Sequence, residues 1–157
     1  MKKLFTMAAL LTAALSMACF TGCAPKPKQI GLQLYSVNQD MGDVEASLQK
    51  VADAGYNVVE TLGSPECFGL PAAEFKALCD SKGIKIVSTH TAIGMDPNDE
   101  EGVMNKWRAV FDGLKTMGAK YCVIPGFGLG SNLEELQGVC DYFNKVGKLA
   151  KEYGLLL

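Results

Sequence analysis

Val51-Ala52-Asp53-Ala54-Gly55-Tyr56-Asn57-Val58-Val59-Glu60 passes from a helical pattern to a strand pattern through a single glycine. Before it, Val44, Leu48 and Val51 recur at three- and four-residue spacing. After it, residues 56–62 form an apolar run with strand character. Glycine adopts the left-handed conformation that closes a helix at little cost. The same junction returns at Lys82-Gly83-Ile84, Met117-Gly118-Ala119 and Tyr153-Gly154-Leu155, with glycines 28, 35 and 36 residues apart. Each interval fits one strand–helix unit. Strands alternating with helices at this period imply a parallel sheet with right-handed crossovers.

The spacing predicts strands over 30–37, 56–62, 84–89 and 121–125. Between them, Phe75, Leu78 and Cys79 mark a second helix, and Val103, Trp107, Val110, Phe111 and Leu114 a third. Leu133, Leu136, Val139, Cys140, Phe143 and Val146 mark a fourth. Asp96-Pro97 reads as a cap followed by a first-turn proline, and Ser131 and Glu134 have capping-box spacing. Trp107 falls on an apolar face and is expected in the core.

Two architectures accommodate these units: an open doubly wound sheet and a closed (β/α)8 barrel. A barrel needs about 250 residues, and Leu155-Leu156-Leu157 follows the glycine that should launch a fifth strand. The expectation is a (β/α)8 TIM barrel truncated to about its first four βα units. Unpaired sheet edges would then favour self-association.

The N-terminus reads as an address. Lys2 and Lys3 precede an apolar stretch over residues 4–20, and small residues follow at Thr21 and Gly22. The chain turns polar at Pro25-Lys26-Pro27-Lys28, so a secretory signal over 1–22 is preferred to a membrane span. Phe20-Thr21-Gly22-Cys23 resembles the bacterial lipobox, with Phe20 where Leu is usual. Lipidation at Cys23 would anchor the chain to a membrane through an extended tether, residues 23–29. The localisation expected is exported, as a periplasmic or outer-membrane lipoprotein. Without residues 1–22, the chain has 13 basic against 17 acidic residues, which argues against a nucleic-acid partner. Cys67, Cys79, Cys122 and Cys140 lack CxxC spacing and are expected as free thiols rather than zinc ligands.

In such folds ligands bind at the C-terminal ends of the strands. Those positions hold Gln33, Tyr35 and Ser36, then Glu60 and Thr61, then Ser88 and His90, then Pro125 and Gly126. Strand alternation places Ile84, Ile86, Ser88 and His90 on one side of the third strand. Glu60 could orient hydroxyls or accept a proton, or form a salt bridge with a neighbour. His90, the only histidine, fits contact with substrate or metal as well as a hydrogen bond within a loop. Gly126-Phe127-Gly128-Leu129-Gly130 follows the fourth strand with GxGxG rather than GxGxxG spacing, and reads as a flexible loop.

These strands resemble those of the xylose isomerase-like TIM barrels, which include sugar phosphate isomerases and epimerases. Ile30-Gly31-Leu32-Gln33-Leu34-Tyr35-Ser36-Val37 looks like the first strand of that family. Ala54-Gly55-Tyr56-Asn57-Val58-Val59-Glu60 is similar to the second, Val87-Ser88-Thr89-His90-Thr91 to the third, and Gly118-Ala119-Lys120-Tyr121-Cys122-Val123-Ile124-Pro125 to the fourth. The resemblance covers residues 30–157 and implies metal-assisted proton transfer beside a sugar carbonyl. It carries catalytic roles to Glu60 and His90, beside which Gln33, Tyr35 and Ser88 are expected, from their strand-end positions, to contact substrate. Family members usually draw their divalent metal (Mn, Mg, Co or Zn) onto the fifth to eighth strands, so no metal ligand is assigned here and no tight binding to this part alone is expected. Leu70 stands before Pro71 where a Ser or Thr cap is common. Three functions follow: a sugar isomerase or epimerase fragment, inactive alone; a keto-sugar lyase or hydratase; or a noncatalytic lipid-anchored carbohydrate-binding module. Export makes a phosphorylated substrate less fitting.

Overall fold

The computed structural model describes residues 28–157. The expected signal, Cys23 and most of the tether therefore lie outside the described residues. Four strands, β1 (Gly31–Gln33), β2 (Val58–Leu62), β5 (Lys85–His90) and β6 (Tyr121–Val123), form one parallel sheet in the order β1-β2-β5-β6. A short antiparallel pair, β3 (Glu66–Cys67) and β4 (Leu70–Pro71), lies in the connection after β2. The helices are α1 (Val44–Asp53), α2 (Ala72–Ser81), α3 (Glu100–Met117) and α4 (Leu133–Glu152).

Sheet order decides between the two architectures. A doubly wound sheet reverses its order to place helices on both faces. Here each strand joins beside its predecessor, so successive right-handed crossovers put all four helices on one face. That is the arrangement of a TIM barrel wall. Leu156 continues it with a parallel bridge to Tyr121, made by Cys122 N–H to Leu156 O (2.8 Å) and Leu156 N–H to Lys120 O (3.0 Å).

The four junction glycines have positive φ, at 92° for Gly55, 69° for Gly83, 71° for Gly118 and 74° for Gly154. The repeat in the sequence is thus a repeat in backbone conformation, which a Cβ would strain.

Several boundaries differ from expectation, β2 beginning at Val58 rather than 56 and β6 ending at Val123 rather than 125. β1 stops at Gln33 because the chain winds into a 3-10 segment, Leu34–Asp40, that buries Leu34 completely. α3 begins after Asp99, whose carboxylate accepts from Gly102 N–H (3.0 Å); Asp96 instead accepts from Asn98 N–H in the turn before it. The α4 cap sits one residue later than the Ser131–Glu134 box. Asn132 accepts from Glu135 N–H (2.9 Å), and the Glu135 carboxylate accepts from the Ser131 N–H and hydroxyl. That backbone N–H, followed by the hydroxyl, holds the Glu135 carboxyl below its usual range. α2 follows Pro71, which gives it no side-chain cap, and Leu70 stands before that proline where a Ser or Thr is common.

The core lies between sheet and helices. Trp107, Phe111, Phe75, Leu48, Leu114, Val59 and Val146 are fully buried. Trp107 stacks on Phe111 at 5.6 Å and donates its indole N–H to Tyr142 Oη (2.7 Å), which donates onward to Ile93 O (2.6 Å). This chain ties α3 and α4 to the connection after His90.

No disulfide occurs among the described cysteines; Cys67, Cys79 and Cys122 are buried and Cys140 is exposed. Burial pushes the Cys79 and Cys122 thiols up to about 12. At about pH 8, a thiol-specific disulfide reagent should modify Cys140 quickly and the other three only on unfolding. An unfolded thiol ionises near 9 while these two retain their protons until about 12. Their contribution to stability should therefore be constant below pH 9 and fall as pH rises from 9 toward 12. Rapid labelling of Cys122 in the folded chain would contradict this packing.

Candidate functional site

The site is assembled by strand register. Gln33 pairs with Glu60 across β1 and β2, and Glu60 pairs with Ser88 across β2 and β5. Paired residues in adjacent strands present their side chains on the same face, so three neighbouring strands deliver three polar groups to one place.

The β2–β5 register contains an irregularity that single-strand alternation did not reveal. Val59 pairs with Ile86 but the next residue, Glu60, pairs with Ser88, leaving Val87 as an extra residue. Such a bulge shifts the phase of alternation. Ile84 and Ile86 accordingly join the helix-side core with Val59, while Ser88 turns to the opposite face and donates its hydroxyl to Glu60. The expectation that Ile84, Ile86, Ser88 and His90 share one side is corrected: only Ser88 and His90 do. The bulge aims Ser88 at Glu60.

The contacts are short and reciprocal. Ser88 Oγ donates to Glu60 Oε2 (2.6 Å), Gln33 Nε2 donates to Glu60 Oε1 (2.9 Å), and the same Gln33 nitrogen lies 3.1 Å from His90 Nδ1. Both carboxylate oxygens of Glu60 therefore accept from neutral donors. The Tyr35 ring, 58% exposed on the 3-10 segment, stands 5.5 Å from the His90 ring at 43°. Among the sequence-predicted positions, Gln33, Tyr35, Glu60, Ser88 and His90 converge toward the C-terminal side of the sheet, with Gln33 and His90 last in β1 and β5 and Glu60 in the middle of β2. Glu60 makes no salt bridge among the described residues. Tyr121, 46% exposed, pairs with Ser88 from β6 and extends the same face.

Thr89 has a role that sequence reasoning missed. Fully buried on the other face, its hydroxyl donates to Gly63 O (2.6 Å), and Gly63 N–H donates to His90 O (3.2 Å). This pair fastens the connection after β2 to the end of β5, fixing Glu60 and His90 relative to each other. A threonine in a β-branched strand run gives no separate signal in the sequence.

The residues here do not by themselves fit a metal centre. Among the described residues no group of three or more His, Cys, Asp or Glu side chains is placed to share an ion. Glu60 and His90 are instead bridged by the Gln33 amide. The GxGxG loop, residues 126–130, borders a groove of about 540 Å³ with Met95, Val103, Val139 and Tyr142, away from the Glu60 cluster.

Comparison with known proteins agrees with the geometry. A sugar phosphate isomerase/epimerase from Parabacteroides distasonis is 31% identical over 82% of this chain and 52% of its own, with a TM-score of 0.73. A second sugar phosphate isomerase/epimerase from that organism is 23% identical, over 87% and 51%, with a TM-score of 0.72. The IolI protein, solved with a zinc atom, is 14% identical over 82% and 49%, with a TM-score of 0.63. The chain spans about half the length of these structures. A comparison with curated proteins gives no match. The sequence model of the xylose isomerase-like TIM barrel matches residues 48–157. With a monotone parallel sheet, a family match over most of its length and polar side chains gathered at the strand ends, the chain belongs to the xylose isomerase-like TIM barrel family.

Proposed function

We propose that residues 30–157 supply the substrate-facing half of a sugar isomerase or epimerase that moves a proton beside a carbonyl. The observation carrying this reading is the Gln33–Glu60–Ser88–His90 network at the strand C-termini. In it Glu60 would orient a sugar hydroxyl or take a proton, His90 would contact a substrate oxygen, and Tyr35 would wall one side. Ser88 and Gln33 hold Glu60 as an acceptor and lie within reach of the same ligand. A divalent ion, held by residues of later strands as the family resemblance implies, would polarise the substrate oxygens. This half alone is then inactive.

Charge placement favours an uncharged carbohydrate over a sugar phosphate. The connections that follow the four strands carry Asp40, Asp43, Glu66, Asp96 and Asp99 and are without Lys or Arg. The helix N-termini there already hold their own acids, with Asp43 capping α1, Asp99 capping α3, and Glu134 and Glu135 in the first turn of α4. Lys50, Lys82, Lys85, Lys115, Lys120 and Lys151 lie at the opposite end, at helix C-termini and strand starts. The helix dipole accounts for part of this polarity. The effect at the mouth is the same: a dianionic phosphate would meet like charge. With the full-length barrel in deuterated water, a neutral ketose should gain deuterium beside its carbonyl faster than its phosphate does. Faster exchange of the phosphate would reject the substrate class, and elimination products without exchange would point to a lyase or hydratase.

The leader over 1–22 and lipidation at Cys23 belong to the same proposal, as an exported lipoprotein anchored to a membrane. Cys23→Ser should abolish lipid labelling in the native host and release the protein from membranes. Unchanged labelling would remove the lipidation site.

A further inference from the structure

We propose that Gln33 is a positioning residue that sets the tautomer of His90, leaving Nδ1 unprotonated and directing Nε2–H toward the mouth as a hydrogen-bond donor. The inference rests on the reading of Glu60 and His90 as site residues, but its logic is local. One end of the Gln33 amide lies 2.9 Å from Glu60 Oε1 and 3.1 Å from His90 Nδ1. If the amide were turned over, its carbonyl oxygen would face a carboxylate oxygen, acceptor against acceptor. The carboxylate therefore requires the NH2 group at this position. That group has two protons, one for Glu60 and one for the imidazole. His90 Nδ1 must then accept, and in a neutral imidazole the proton resides on Nε2.

Glu60 is held in its turn. Ser88 Oγ occupies Oε2 at 2.6 Å, which orients the carboxylate plane toward Gln33. Order thus passes from Ser88 through Glu60 and Gln33 to His90. On the remaining sides His90 meets the Tyr35 ring at 5.5 Å and lies between Leu62 and Val123 in the sheet register. Gln33 is the imidazole's one hydrogen-bonding partner among the described residues. Two complementary roles follow at one mouth: an accepting carboxylate at Glu60 and a donating N–H at His90. Such a pair can grip a sugar by a hydroxyl proton and a neighbouring oxygen.

The chain contains a single histidine, so long-range proton–nitrogen NMR of the full chain labelled with 15N-histidine reports His90 alone. At about pH 8, where an ordinary imidazole is neutral, the wild type should show an unprotonated Nδ1 and a protonated Nε2. Gln33→Leu should weaken that preference about two- to tenfold, the range for loss of one hydrogen bond. Gln33→Glu places an acceptor beside the ring and should put a proton on Nδ1. A purely structural Gln33 would leave the tautomer of a folded variant unchanged, with folding followed by Trp107 emission. A protonated Nδ1 in the wild type would overturn the proposal, and so would identical spectra for wild type and folded Gln33→Leu. If Gln33→Leu does not fold, the wild-type and Gln33→Glu spectra decide. No substrate is involved, so failure here leaves the reaction proposed above standing, and failure of that reaction leaves the tautomer result standing.

Discussion

Glu60→Gln and His90→Ala, each introduced into the full-length barrel, should lower turnover of a neutral ketose by a factor of about 100 to 10,000. This is the range for loss of one positioned acid–base group. Both residues are partly buried, Glu60 in the middle of β2 and His90 at the end of β5, and neither belongs to the hydrophobic core cluster. Folding should therefore survive while kcat falls. In Glu60→Gln the new amide keeps the shape of the carboxylate but turns one of its two accepting oxygens into an NH2 group, so either Ser88 or Gln33 loses its acceptor. Its effect should spread to His90 through a reoriented Gln33. Combining it with His90→Ala should cost less than the two losses multiplied, because the groups act as one unit. Near-normal turnover together with lost thermal stability would assign the network to structure instead.

Trp107→Ala should be the most damaging single change to folding, at about 3–5 kcal/mol. Domain stability is only about 5–15 kcal/mol in total, so the variant should be largely unfolded at modest urea. Trp107 is completely buried, stacks on Phe111, and donates to Tyr142. Truncation empties the centre of the helix layer and strips Tyr142 Oη of its donor. Tyr142→Phe separates the two contributions. It keeps the ring but leaves the indole N–H and Ile93 O unpaired, which should cost about 1–3 kcal/mol. Urea midpoints at constant m would measure both. A loss below about 1 kcal/mol for Trp107→Ala would contradict the described core.

How much of this was legible depended on whether a feature is local in the chain. The helix-to-strand glycines were readable because positive φ is a property of one residue, and all four occur as expected. The choice of barrel over open sheet came from the count of units and is carried by the strand order. The gathering of Gln33, Glu60, Ser88 and His90 followed from placing ligands at strand ends. The bulge opposite Glu60 was not readable, since it exists only in the pairing of two strands 27 residues apart. The caps slipped by one to three residues because Asp96 and Asp99, or Ser131 and Asn132, offer equivalent chemistry and packing chooses between them. The small hairpin of β3 and β4 was missed for a related reason. Its turn is Phe68-Gly69, with φ of 52° and 80°, where Asn-Gly would have been the usual sign. Phe68 holds that conformation while packing 6.0 Å from Phe75 in the core. Tertiary contact overrides local preference there.

Every role proposed for the site depends on the Glu60–His90 mouth facing a carbohydrate. The direct measurement is titration of the uniformly 15N-labelled chain with a neutral ketohexose and with its phosphate, reading the His90 ring and the backbone amides. The His90 signals should move saturably with the neutral sugar and less with the phosphate, and both movements should be lost in Glu60→Gln. Signals that stay fixed at His90 while those of Val139 and Tyr142 move, in the groove between α3 and α4, would place the ligand elsewhere and contradict these roles.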